Sequence, residues 1–295
     1  MGYNCIVLVK QVPDTKRITG QAMNEDGTVN RAALPAIFNP EDLNALEMAL
    51  EIKEKYGGKV TVITMGLPTA AEVLRQSLYR GADGVILLTD RRCAASDTLA
   101  TSYILSCAVA KLNPDIVLCG RQAIDGDTAQ VGPQTAEKLG FPQITYVEQL
   151  LSLTGKTLTA KRNLGNGWQE VKTSLPALLT VIDTANEPRV PSARRLMKYK
   201  GAKCRLEVEA AAKTDPSIDV ESTCKGLEKR GLLIRQWDLD TVGADLAWCG
   251  RDGSPTKVHR IQSVVLAAKE TKSIEPTQAG IEAMIQELIA DNTIG

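Results

Sequence analysis

The residues best equipped for chemistry stand together in Gly120-Arg121-Gln122-Ala123-Ile124-Asp125-Gly126-Asp127-Thr128-Ala129-Gln130-Val131, which follows Asp115-Ile116-Val117-Leu118-Cys119 and leads into Gly132-Pro133-Gln134-Thr135. A short apolar run bounded by Asn113-Pro114 and Gly120 reads as a buried parallel strand, so the expected order is strand, polar loop, helix. Asp127 and Thr128 are the expected caps of that helix. Gly120 and Gly126 let backbone approach a ligand closely, and amides around Thr128, Ala129 and Gln130 at a helix start suit a phosphate. Asp125 and Asp127 would repel that phosphate. They suit ribose hydroxyls, an adenine amino group or magnesium instead. Together these groups match a whole nucleotide, although an ordinary capped turn uses the same residue types.

Such a loop needs a sheet edge to stand on. From Tyr3 to about Leu139, short aliphatic runs alternate with amphipathic segments, the pattern of a repeating βα unit with a parallel sheet. Strands are expected at residues 5–9, 60–64 and 84–89. A helix should start at Pro40, with Asn39 as its cap, Glu41 and Asp42 in its first turn and Leu43, Leu46 and Leu50 on one face, and end near Gly57. Thr69 with Glu72 resembles a capping box for a helix running to Arg80, and another helix should follow the loop Asp90 to Thr98. In a doubly wound sheet Leu8, Asn39, Met65, Gly66, the Asp90 to Thr98 loop and the Gly120 to Val131 loop gather along one rim. Arg91 and Arg92 on that rim suit an anionic ligand or plain solvent. Lys10 to Thr15 opens a long polar excursion, in which Gly20 and Asn24-Glu25-Asp26-Gly27-Thr28 predict a hairpin.

Beyond Phe141 the texture changes. Segments at 145–147, 157–160, 168–171 and 177–181 read as antiparallel or edge strands that extend the sheet. Residues 186–205 are Pro-punctuated and basic, with Arg194, Arg195, Lys198, Lys200 and Lys203, which fits a solvated linker or a partner contact. Residues 206–295 lack the βα rhythm, and Ile281, Met284, Ile285, Leu288 and Ile289 form the apolar stripe of a final helix. The expected division is a nucleotide-binding α/β domain over residues 1–200 and a C-terminal extension over 201–295 that packs on something else, a second subunit being one candidate.

Composition removes several classes. With 35 basic and 35 acidic side chains there is no net charge to favour nucleic acid or an anionic membrane surface. No apolar run approaches membrane length, and the first residues run straight into a strand, so the expected location is cytoplasmic. The seven cysteines are scattered without a Cys-x-x-Cys pair, and His259 is the single histidine, read as a surface residue; no metal site is expected. G-x-G-x-x-G, the P-loop and the G-x-S-x-G elbow are all missing, as is the Ser-Gly-Gly-x-Asp-Ser loop of ATP-cleaving enzymes.

Several motifs together resemble the beta subunit of electron-transferring flavoproteins along essentially the whole chain. They are Val7-Leu8-Val9-Lys10-Gln11-Val12-Pro13-Asp14-Thr15, Phe38-Asn39-Pro40, Ile63-Thr64-Met65-Gly66, the loop Gly120 to Gln134, Asn186-Glu187-Pro188-Arg189, and a later signature from Ala160 and Arg162 to Pro176, Leu178, Leu179 and Thr180. Gly165 and Asn166 depart from that signature, where acids are usual. The resemblance implies a doubly wound, mostly parallel sheet of adenine-nucleotide-binding type. It implies nucleotide contacts at Leu8, Asn39, Pro40, Glu41, Asp42, Met65, Gly66 and Gly120 to Val131. Members that only carry electrons hold AMP; members that bifurcate electrons hold FAD and take electrons from NAD(H). The loop containing Asp90 and Thr98, and Gly126, where AMP-holding relatives often carry an acid, resemble the second kind. The implied partners are an alpha subunit, ferredoxin or flavodoxin, and a dehydrogenase such as an acyl-CoA dehydrogenase. The family's dehydrogenase-recognition segment falls at Val190 to Lys200, where Ala193 replaces an anchoring leucine and Leu196 or Met197 stand as substitutes. No catalytic side chain is implied, since the cofactor carries the chemistry.

Overall fold

The computed structural model describes residues 2–14, 34–257 and 273–290; the expected hairpin at Gly20 to Thr28 and His259 lie outside them. The chain begins with β1 (Tyr3–Leu8), the short pair β2 (Gln11–Pro13) and β3 (Ala36–Phe38), α1 (Pro40–Tyr56), β4 (Gly58–Met65), α2 (Ala71–Arg80), β5 (Gly84–Leu88), α3 (Thr98–Ala110), β6 (Ile116–Gly120) and α4 (Val131–Leu139). It continues through β7 (Gln143–Thr154), β8 (Thr157–Asn163), β9 (Trp168–Ser174), β10 (Ala177–Val181), α5 (Ala193–Tyr199), α6 (Arg205–Thr214), α7 (Val220–Lys229), β11 (Arg235–Trp237), α8 (Leu239–Val242) and α9 (Gln278–Ala290).

Among the described residues, nine strands form one sheet in the order β11-β5-β4-β1-β6-β10-β7-β8-β9. Every pairing from β11 to β7 is parallel, and β7–β8 and β8–β9 are antiparallel. The fold is thus α/β with a large, mostly parallel central sheet. The two-residue period of the strands divides their side chains between two cores. Cys5, Val7, Val60, Val62 and Leu118 face Leu46, Leu50 and Leu74 of α1 and α2. Ile6, Leu8, Ile63, Val117 and Cys119 face Ile104, Leu105 and Ala136 of α3 and α4. Helices therefore cover both faces, and strand order reverses between β1 and β6.

Three local expectations are corrected. Pro68 starts a 3-10 turn over Pro68–Ala70, so Thr69 is not a helix cap; Glu72 instead pairs with Arg75 at 2.9 Å. Helix α4 starts at Val131, not at Asp127 or Thr128. Pro133 explains this: within a longer helix its ring would meet the carbonyl of Ala129, four residues back. Finally β10 is neither antiparallel nor an edge strand. It lies parallel between β6 and β7, and all five of its residues are buried. A nearly continuous apolar run, here broken by Thr180 alone, is typical of a strand covered on both faces.

Beyond residue 200, α6 and α7 share a small core of Val208, Cys224 and Leu227. β11 adds an edge strand beside β5, with Gln236 opposite Leu87, and Leu239, Val242 and Cys249 enter the core on the α3 side. Helix α9 has no buried residue.

Candidate functional site

Parallel strands align their carboxyl ends, so the loops leaving β1, β4, β5, β6 and β10 open on one edge of the sheet. Leu8 at the end of β1 is level with Ile63 of β4 and Cys119 of β6. The start of α1 lies directly under the loop that follows β6. Asn39, fully buried, donates from Nδ2 to the Gln122 carbonyl (2.9 Å) and accepts at Oδ1 from the Ile124 amide (3.2 Å). Asp42 accepts from the Gly120 amide at Oδ1 (2.8 Å) and from the Lys10 amide at Oδ2 (2.8 Å). Glu41 accepts from the Gln122 amide (2.9 Å) and pairs with the Arg121 guanidinium at 2.7 Å. Asn39 therefore does not cap α1 with its side chain; Pro40 occupies the first helical position, where its missing N–H is no loss. Gly120 is required by contact: a Cβ there would stand 2.6 Å from Asp42 Oδ1.

These bonds hold the loop from below. Lys10 Nζ lies 2.8 Å from Asp125, and Gln122 Nε2 donates to Asp127 at 3.0 Å. Among the described residues, and apart from its chain neighbours, nothing lies within 4 Å of where a Cβ on Gly126 would be. Asp127 and Thr128 do not cap the helix, whose cap position is Gln130; instead Asp127 and Ala129 take left-handed φ values of 48° and 53°. Arg121 donates its amide to Val181 at the end of β10 (2.9 Å), and its buried Nε has no acceptor among the described residues.

The other rim segments divide. Met65 and Gly66 leave β4 on the same edge, with the Gly66 amide bonded to the Leu88 carbonyl at 3.0 Å. The loop after β5 reaches the main loop through Thr98, whose hydroxyl donates to Gln130 at 2.8 Å. Asp90 is turned elsewhere, to the Arg92 guanidinium at 2.6 Å and the Leu239 amide, and the Arg92 hydrogen bonds lower its pKa to about 2. Asp97 caps α3 at the Ala100 amide (2.9 Å) and also accepts from the Thr256 amide and hydroxyl, at 3.0 and 2.6 Å.

Electrostatically the floor of the site is set by Asp42. Burial pushes its carboxyl up to about 7, against the opposing pull of the Gly120, Lys10 and Asn39 hydrogen bonds. Burial, with Asp42 and Glu41 nearby, also drives the Cys119 thiol far upward, so it is inert as a nucleophile. Lys10 was not among the sequence candidates. Its signal was available: a basic residue directly after the first apolar run, at the carboxyl end of a strand.

Residues 26–216 match the electron transfer flavoprotein domain. The chain belongs to the electron transfer flavoprotein family. It is 42% identical over 257 residues to the electron transfer flavoprotein subunit beta of Clostridium acetobutylicum, covering 87% of this chain and 86% of that protein. The acryloyl-CoA reductase electron transfer subunit gamma of Anaerotignum propionicum is 40% identical, over 95% of this chain and 91% of its own. The electron transfer flavoprotein subunit beta of Megasphaera elsdenii is 39% identical, over 98% and 99%. Among electron transfer flavoprotein chains it is thus of the beta-subunit kind, and none of its described helices is long and apolar enough to cross a membrane.

Proposed function

We propose that this beta-type chain binds FAD along the rim and, in a heterodimer with an alpha subunit, divides the electrons of NADH between ferredoxin or flavodoxin and a dehydrogenase of the acyl-CoA dehydrogenase kind. The observation that carries the reading is the double hydrogen bond from Asn39 to Gln122 and Ile124, which joins the loops on the two sides of the strand-order reversal into one floor. Dinucleotides bind across such a reversal.

The donor set fits an adenine dinucleotide. Lys10 and Arg121 supply positive charge for phosphate, and amides in the first turn of α4 have no partner within the helix. Asp125 and Asp127 offer acceptors for ribose hydroxyls or an amino group. The rim also extends past β1 and β4 to the loop of β5, three strand spacings or about 14 Å from β6, and Thr98 ties that loop to Gln130. This length favours a dinucleotide over AMP. When bound, the flavin supplies hydride uptake from NADH and release of electrons one at a time. The side chains bind and orient; none needs to move a proton.

The tail is assigned to the partner. Ile281, Ile285 and Ile289 make an exposed apolar stripe on α9, a face suited to the alpha subunit. Exposed Val190, Leu196 and Met197 offer a docking surface for the dehydrogenase.

The test is extraction. The heterodimer is purified, denatured, and its released nucleotides identified and counted, alongside NADH-dependent reduction of ferredoxin. About two FAD per heterodimer with ferredoxin reduction supports the reading. One FAD with one AMP reduces the chain to a carrier subunit, and absence of both from the preparation overturns it.

A further inference from the structure

The described residues include five non-glycine residues with positive φ: Ala95, Asn113, Asp127, Ala129 and Tyr146. Asparagine adopts this region readily, and three of the others sit on the rim loops. Tyr146, at φ 58°, is the one bulky side chain among them. It is 40% exposed, so burial of its ring does not account for the conformation.

Its surroundings hold it there. Leu179 of β10 is opposite Ile144, but Val181 is opposite Val147, so Thr145 and Tyr146 together face Thr180 in a bulge. Thr180, buried, accepts from the Tyr146 amide at 3.1 Å. From β8, Arg162 donates to the Thr145 carbonyl (3.0 Å) and hydroxyl (2.7 Å). The bulge is therefore fixed from both neighbouring strands, and what it re-aims is the tyrosine ring. That ring meets Arg121, whose guanidinium carbon lies 5.5 Å from the ring centroid, within the range of a cation–π contact. Glu41 pairs with the same guanidinium at 2.7 Å.

We propose that Tyr146 is a positioning residue of the nucleotide site: the bulge holds its ring in a strained backbone conformation so that Arg121 is held by both Tyr146 and Glu41 and presents a fixed positive charge to the phosphates of a bound adenine nucleotide. The proposal rests on the nucleotide-binding reading above. It extends the site to β7, two strands beyond β6.

The test uses the full heterodimer, stripped of nucleotide and titrated with FAD and separately with AMP. Tyr146→Gly removes both ring and strain. Its affinity for the nucleotide that the unaltered protein binds should fall about tenfold, the worth of one well-placed cation–π contact. The thermal midpoint of the stripped protein should hold or rise, because glycine is at ease at positive φ. Tyr146→Leu keeps the bulk without the aromatic face and should show the same loss, whereas Tyr146→Phe should restore affinity. In an Arg121→Gln background, Tyr146→Gly should add no further loss, since both act through one guanidinium. Unchanged affinity in Tyr146→Gly and Tyr146→Leu, or additive losses with Arg121→Gln, overturns the proposal while leaving nucleotide binding in place. Absence of FAD and AMP binding in the unaltered heterodimer overturns the underlying reading instead, and this proposal with it.

Discussion

Asn39 uses both ends of its amide on one loop, and that makes it the most sensitive single position at the edge. Asn39→Ala leaves the Gln122 carbonyl and the Ile124 amide without partners in a part-buried place. The expected loss of stability is about 2–4 kcal/mol by denaturant titration, with nucleotide retention falling further. Asp42 makes a prediction about pH. Its folded carboxyl titrates near 7, above the ordinary value of about 3.9 for an unfolded chain. Between those values the folded state keeps a proton that the unfolded state releases, so stability falls as pH rises from about 4 to about 7 and is level above that. Denaturation midpoints of the unaltered protein relative to Asp42→Asn, taken at half-unit steps from pH 4.5 to 8, should decline across this window; a flat difference would refute the assignment. Of these residues, the sequence makes Asn39, Glu41 and Asp42 legible as helix-start residues near a ligand. Their turn inward, to hold the neighbouring loop, depends on strand adjacency and could not be read from spacing along the chain.

At the scale of elements, alternation of apolar runs and amphipathic segments located β1, β4, β5 and β6 and the helices between them, because parallel strands and their covering helices carry strong periodic signals. The errors were local. Asp127 and Thr128 are good capping types, but Pro133 dictates where α4 can begin. The run at 177–181 follows a hairpin and so reads as antiparallel or edge, although its near-continuous apolarity, broken by Thr180 alone, is the mark of a central strand. Contacts that depend on distant segments were invisible, among them the joint between the loop after β5 and residues 250–256. There Asp97 accepts from Ala100 and Thr256, Ser254 accepts from the Asp97 amide at 2.9 Å, and the Gly250 amide donates to Ser96 at 3.1 Å. Asp97→Ala removes a helix cap and this joint at once. The expected loss is about 1–3 kcal/mol, with faster hydrogen exchange at Ala100 and Thr256 and little change in β1.

For the molecule as a whole, the two cores lie on opposite faces of one sheet, and residues up to Cys249 contribute to them, while α9 contributes to neither. Removing residues from 273 onward should therefore leave the denaturation midpoint of the isolated chain within about 0.5 kcal/mol of the original. The same truncation should sharply lower recovery of the alpha subunit by affinity capture; undiminished recovery would remove α9 from the proposed interface. The position of β10 has a consequence for assembly. The polypeptide leaves β6, builds β7 and the β8–β9 ribbon further out, and only then returns to fill the gap between β6 and β7. Until residue 181 has emerged from the ribosome that gap cannot close, β6 presents an edge of unpaired backbone N–H and C=O groups, and β7 lacks its parallel neighbour. Maturation of this half is thus tied to synthesis of its last strand, and a nascent chain halted before residue 177 is the species most in need of a chaperone.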